Sequence, residues 1–110
     1  MSLRDSILAA ALLRTKQTAI ALIPVMIQEL SVKERAEFVA LVNAGAAVSA
    51  WLVARKVRDP QTSEAIFSDD DVAHIEASSP GVIEAVAREI LVLSGLAKEN
   101  GEPAEDAGKS

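Results

Sequence analysis

The stretch from Ser79 to Gly95 constrains this chain more than any other, because both ends of a helix are written into it. Ser79 is a natural N-cap, Pro80 stands at the first helical position where its missing N–H costs nothing, and Gly95 can take the left-handed stop conformation. Between them Val82, Ile83, Val86, Ile90 and Leu93 recur at three- and four-residue spacing, while Glu84 and Arg88 fall one turn apart on the other side. A helix of about 16 residues is marginal alone in water, so its apolar stripe requires a partner surface. The remainder of the chain is read as that surface.

A second helix start is equally plain. Ser31 followed by Glu34 is a capping box, in which each side chain satisfies a free N–H of the first turn. Val32, Ala36, Val39 and Val42 then share a stripe, with Phe38 and Leu41 beside it, and Gly45 marks the end or a joint. From Ala46 to Arg58 a further helical run carries Ala50, Val53, Ala54 and Val57 at helix spacing, with Val48, Trp51 and Leu52 widening the apolar arc until Asp59-Pro60 stops it. An arc that wide implies burial on two sides, the second of which is expected to be another subunit or a partner. Ser68-Asp69-Asp70-Asp71 opens a short helix that holds Val72 and Ile75.

The first thirty residues are less regular. Leu3 to Leu13 reads as a short amphipathic helix and Thr15 to Thr18 as a polar break. For Ala19 to Leu30 periodicity does not separate helix from strand. Pro24 disfavours an ordinary helix and pushes Ile23 toward an extended conformation, which leaves two extended pieces or a broken helix. The expected fold is therefore mainly α: a bundle of four to five helices in one domain over residues 1–96, with a short extended or β segment near residues 19–30. Residues 97–110, rich in Gly, Glu, Asp, Lys and Ser, are expected to form a disordered acidic tail.

Composition narrows the function classes. The chain has 110 residues and suffices for one core; it contains no cysteine, so disulfides and thiolate metal sites are excluded. One Trp, two Phe and no Tyr favour helix packing over a sandwich or barrel. A net charge of −5 argues against non-specific binding to nucleic acid or to an anionic membrane. The apolar run from Ala19 to Ile27 is too short to span a bilayer and contains Pro24. Asp5 interrupts the basic start of what would otherwise have the outline of a signal peptide, so secretion is not expected.

The chemistry-bearing residues assemble into no catalytic set. His74 is the single histidine, without a nucleophile or further metal ligands at motif spacing. The three aspartates lack the alternation, central Gly and distant Glu of a Ca²⁺ loop, and the macrodipole at a helix start accounts for them. The glycines form no phosphate loop. No catalytic residue, metal or cofactor is therefore expected. Trp51 carries more weight: it reads first as a core anchor packed against Phe38 or the long C-terminal helix, and otherwise as an interface centre, where Trp is enriched. On that second reading Phe38, Leu41, Trp51 and Leu52 are the expected partner or self-association surface.

The order of these segments resembles the tail assembly chaperones of long-tailed, lambda-type bacteriophages and prophages. The matching pieces are Val25-Met26-Ile27-Gln28-Glu29-Leu30-Ser31 leading to Glu34-Arg35 and Phe38, a central Ala50-Trp51-Leu52-Val53-Ala54, and Ile66-Phe67-Ser68-Asp69-Asp70-Asp71-Val72. A last helix ending Leu93-Ser94-Gly95-Leu96 and a polar acidic tail closing Gly108-Lys109-Ser110 complete the order. The resemblance covers about Val25 to Ser110; the Leu3 to Leu13 helix has no counterpart in it. It implies a mainly helical, non-enzymatic protein of the bacterial host cytoplasm that is absent from the finished virion. Such a protein binds the tape measure protein, keeps it soluble and promotes tail tube polymerisation around it. The resemblance further implies ring-like or spiral homo-oligomers and a longer frameshifted form that recruits the tail tube protein. The alternative drawn from the residues alone is a homo-oligomeric helical adaptor that binds one folded protein partner.

Overall fold

A computed structural model describes residues 2–98. The chain runs α1 (Leu3–Ala10), β1 (Thr15–Ile20), β2 (Ile23–Gln28), α2 (Val32–Asn43), α3 (Ser49–Lys56), β3 (Val57–Arg58), a 3₁₀ turn (Asp69–Asp71), α4 (Val72–Glu76) and α5 (Pro80–Leu93). Three antiparallel strands in the order β1-β2-β3 form one layer, and α3 and α5 pack against it. This is a mixed α/β fold, which overturns the expected mainly α bundle of four to five helices. Its sheet also extends beyond the short segment foreseen at residues 19–30, reaching back to Thr15 and forward to Arg58.

The physical reason for the sheet lies in β2. Val25 and Ile27 alternate with Met26 and Gln28, and the first pair is buried while the second is half-exposed, the period-2 signature of a strand with one dry face. The stretch read as a polar break supplies the partner, with Thr15 opposite Gln28 and Ile20 opposite Ile23. The strands are joined by a two-residue turn, Ala21-Leu22, in which both residues have positive φ, 50° and 72°. Such a turn twists with its strands, but glycine and asparagine are its usual occupants. Val57 and Arg58 continue the helical pattern of α3 in sequence, yet they leave the helix to pair with Ile27 and Met26. Ladder bonds there replace a last helical turn.

The core gathers Val25, Ile27 and Val57 from the sheet, Leu52 and Val53 from α3, Val86 and Ile90 from α5, and Ile75 from α4. Full burial of one such side chain contributes roughly 1.5–3 kcal/mol. Leu96, just past α5, is buried as well. Gly95, at φ 75°, turns the chain so that Leu96 reaches that place, its N–H returning to the Leu91 carbonyl at 2.8 Å. Pro80 opens α5 as its sequence requires, although the Ser79 side chain makes no capping bond. By contrast, neither α1 nor α2 contains a buried residue. The tail expected from Ala97 onward falls, after Lys98, outside the described residues.

Candidate interaction surface

Neither α1 nor α2 contains a buried residue, although Phe38 of α2 packs against the core, and polar contacts fix the chain where it leaves α1 and where it enters α2. Arg14, between α1 and β1, is fixed through its backbone and its guanidinium. Its N–H donates to Glu29 Oε2 at 2.6 Å, its Nε donates to the same oxygen at 3.2 Å, and its Nη2 reaches the Leu93 carbonyl at 2.7 Å. That last bond satisfies a carbonyl at the C-terminal end of α5, where positive charge is favoured. Burial alone pushes the Glu29 carboxyl up, but the hydrogen bonds and charge of Arg14 outweigh it and hold the group below its ordinary value.

At the N-terminus of α2 the capping box is complete: Glu34 N–H donates to Ser31 Oγ at 3.1 Å, and Ser31 N–H to Glu34 Oε1 at 3.0 Å. The same Glu34 oxygen accepts from Lys56 Nζ at 2.7 Å, and Lys56 also donates to Gln28 Oε1 at 2.9 Å. Lys56 is only 2% exposed, so its ammonium depends on these partners. Burial raises the Glu34 carboxyl, yet the hydrogen bond from Lys56 and those of Ser31 more than offset it, and the group titrates below its ordinary value. One carboxylate thus caps α2 and ties it to the end of α3. Ser94 adds a buried tie, accepting from Leu30 N–H at 2.9 Å and donating to the Ile90 carbonyl at 2.7 Å.

Around these anchors lies a set of uncovered apolar side chains. Leu3, Ile7 and Leu8 on α1 and Leu12 just beyond it are all more than half exposed. Val32, three residues past Glu29, is 92% exposed, and at the far end of the hairpin Leu22 reaches 94% with Ile23 beside it. Scattered exposed leucines need no explanation, but a whole helix face without a cover together with a hairpin tip does.

The four residues expected to form the partner surface are not brought together as such. Leu52 is fully buried, because the broad arc of α3 is covered within the chain by α4 and α5. Trp51 and Phe38 are half-buried against the core, and Leu41 is half-buried on α2. The Arg55 guanidinium stands 5.4 Å from the Trp51 ring centre and donates to Asp69 Oδ1 at 3.2 Å. Asp71 accepts from the Ser68 N–H at 2.9 Å, a local capping role, and His74 is exposed. Among the described residues no group of three or more histidines or carboxylates is placed to hold a metal ion. An open groove of about 260 Å³ runs between α3, α4 and the start of α5, floored by Ala47, Ala50, Ile75 and Ile83 and edged by Glu76 and Glu84. Ser49 and Ser78 also line it, and among the described residues no histidine, lysine or arginine does.

Sequence reading missed Lys56 and Arg14 as organising residues and the Leu22-Ile23 tip as exposed surface. A lysine inside an apolar helix arc was the available signal for the first; the tip followed only once the hairpin was known. No protein family, curated protein or solved structure matches the chain. Among the described residues no helix is long and apolar enough to cross a membrane.

Proposed function

We propose that this protein is a tail assembly chaperone of a lambda-type phage or prophage, acting in the bacterial host cytoplasm. It binds the tape measure protein, keeps it soluble and promotes tail tube polymerisation around it. The observation that carries the reading is the uncovered apolar surface on α1 and at the hairpin tip, held on a core that does not need it. A tape measure protein is long and apolar in stretches, and it requires weak contacts repeated at many sites. Self-association of the chaperone supplies them through effective concentration. The net charge of −5 helps keep such a complex dispersed. In this proposal α1 and the Leu22-Ile23 tip are the contact residues, the half-buried Phe38, Leu41 and Trp51 contribute what they expose, and the fully buried Leu52 makes no contact.

The test is co-expression with the tape measure protein of the same gene neighbourhood, followed by pull-down and light scattering. A soluble complex with several copies of this chain per tape measure is expected. The paired change Ile7→Asp and Leu8→Asp should lower capture while leaving the thermal melt unchanged. A tape measure protein that stayed insoluble in the presence of the wild-type chain would refute the proposal and favour the adaptor reading.

A further inference from the structure

The outer edge of β1 carries a second, independent surface. A two-residue turn closes on a hydrogen-bonded pair, here Ile20 with Ile23, so bonded pairs then alternate as Thr18 with Val25 and Lys16 with Ile27. Two observations fix that alternation. Pro24, which has no N–H, falls in a non-bonded pair with Ala19, and Glu29 N–H donates to the Arg14 carbonyl at 3.0 Å in the next bonded position. Thr15, Gln17 and Ala19 therefore turn their backbone N–H and C=O groups away from β2. Among the described residues no backbone group bonds to them.

Natural edges are commonly guarded by a lysine, a proline or a bulge. Here the strand pairs residue for residue without a bulge, and its proline-free run holds one lysine. That lysine does not guard the edge: Lys16 Nζ lies 3.4 Å from Glu89 Oε1 on α5, and Thr18 Oγ1 donates to Glu89 Oε2 at 2.8 Å.

We infer that this edge is the interface with a second copy of the chain, β1 pairing antiparallel with β1 about a twofold axis through Gln17. Charge excludes the register that sets Lys16 opposite Lys16 and favours the one that brings each Lys16 to the Thr18 and Glu89 of the second copy. With Gln17 opposite Gln17 of the second copy, Thr15 faces Ala19 and Lys16 faces Thr18, so no like charges meet. Directly opposed residues in such a pair sit about 5 Å apart. Each Lys16 then approaches the second copy's Glu89, which is already bonded to the Thr18 it faces. A shallow depression between α5 and β1, lined by Lys16, Arg88, Glu89 and Val92, leaves room on that face. The product is one continuous six-stranded antiparallel sheet, and an isologous contact of this kind closes at two chains, in place of the ring or spiral that the resemblance implies.

The chain contains no cysteine, so single cysteines report the register directly. Under mild oxidation Gln17→Cys should give a covalent dimer, since bonded antiparallel pairs hold their Cα atoms about 5.5 Å apart, within disulfide reach. Thr15→Cys or Ala19→Cys alone should not, because each lies more than roughly 13 Å along the strand from its own copy. An equimolar mixture of those two should crosslink. Light scattering of the full chain at micromolar concentration should give a dimer. Gln17→Pro, which removes only an outward N–H, should give a monomer with an unchanged circular dichroism spectrum. A monomeric wild-type chain, equal crosslinking at all three positions, or a dimer that survives Gln17→Pro would each overturn the inference. All readouts use the chain alone, so loss of tape measure binding leaves this inference standing. Equal crosslinking or a dimer that survives Gln17→Pro would leave the chaperone proposal intact, whereas a monomeric wild-type chain would also remove the self-association on which that proposal draws.

Discussion

The Ala21-Leu22 turn holds two non-glycine residues in the left-handed region, and relieving it should stabilise the fold measurably. The left-handed conformation costs an L-residue roughly 1–2 kcal/mol, which glycine escapes and asparagine partly escapes. Against this, glycine loses about 0.5–1 kcal/mol more entropy on folding. Leu22 is 94% exposed and buries nothing that the change would forfeit. The double substitution Ala21→Asn and Leu22→Gly should therefore add about 1 kcal/mol. In a domain of this size that raises Tm by about 4–8 °C. Urea unfolding followed by Trp51 fluorescence and by circular dichroism, at low protein concentration, measures the gain. An unchanged or lowered midpoint would refute the argument, because it would mean that the turn carries no strain. On the proposed function the same variant should also bind the tape measure protein less well, since it removes Leu22 from the apolar tip.

Three further outcomes follow from the polar anchors and the helix stop. Lys56→Met leaves Glu34 and Gln28 without their shared donor and should cost about 3 kcal/mol in urea unfolding; the further change Glu34→Gln should recover part of it. Glu29 and Glu34 both titrate below their ordinary value of 4.5, so the stability they contribute is complete above that pH and is lost as pH falls through their lower folded values. A stability profile from pH 7 to 2 should show this acid limb, flattened in the double variant Glu29→Gln, Glu34→Gln. Gly95→Ala meets no atom within 4 Å of the added Cβ, so its cost is that of the φ of +75° alone, about 1 kcal/mol by thermal melt.

The parts legible in the sequence were those whose signals are local. The Ser31–Glu34 box, Pro80 at the start of α5 and Gly95 at its end each appear where the residues place them. The sheet was obscured for three separate reasons. β1 exposes Thr15, Lys16 and Gln17 to solvent, so half of a strand looked like a polar loop. Its turn is Ala-Leu, which carries none of the usual turn chemistry. Val57 and Arg58 extend the periodicity of α3 and are drawn out of it only by β2, a contact made across thirty residues of chain. The expected interaction residues fared similarly. The wide arc of α3 does indicate burial on two sides, but both sides are internal, which places Leu52 in the core rather than on a partner.

Because α1 buries no residue and the chain after it is anchored at Arg14, the proposed function would put the packing of the core and the α1 contact in separable stretches of this chain. On that proposal substitutions in Leu3 to Leu12 leave the core untouched and answer to the partner, whereas the buried positions between Val25 and Leu96 answer first to packing. Such a division lets the first helix diverge rapidly, keeping pace with a changing partner while the scaffold beneath it stays still. A deep mutational scan would display it as two populations, one limited by abundance and the other by binding.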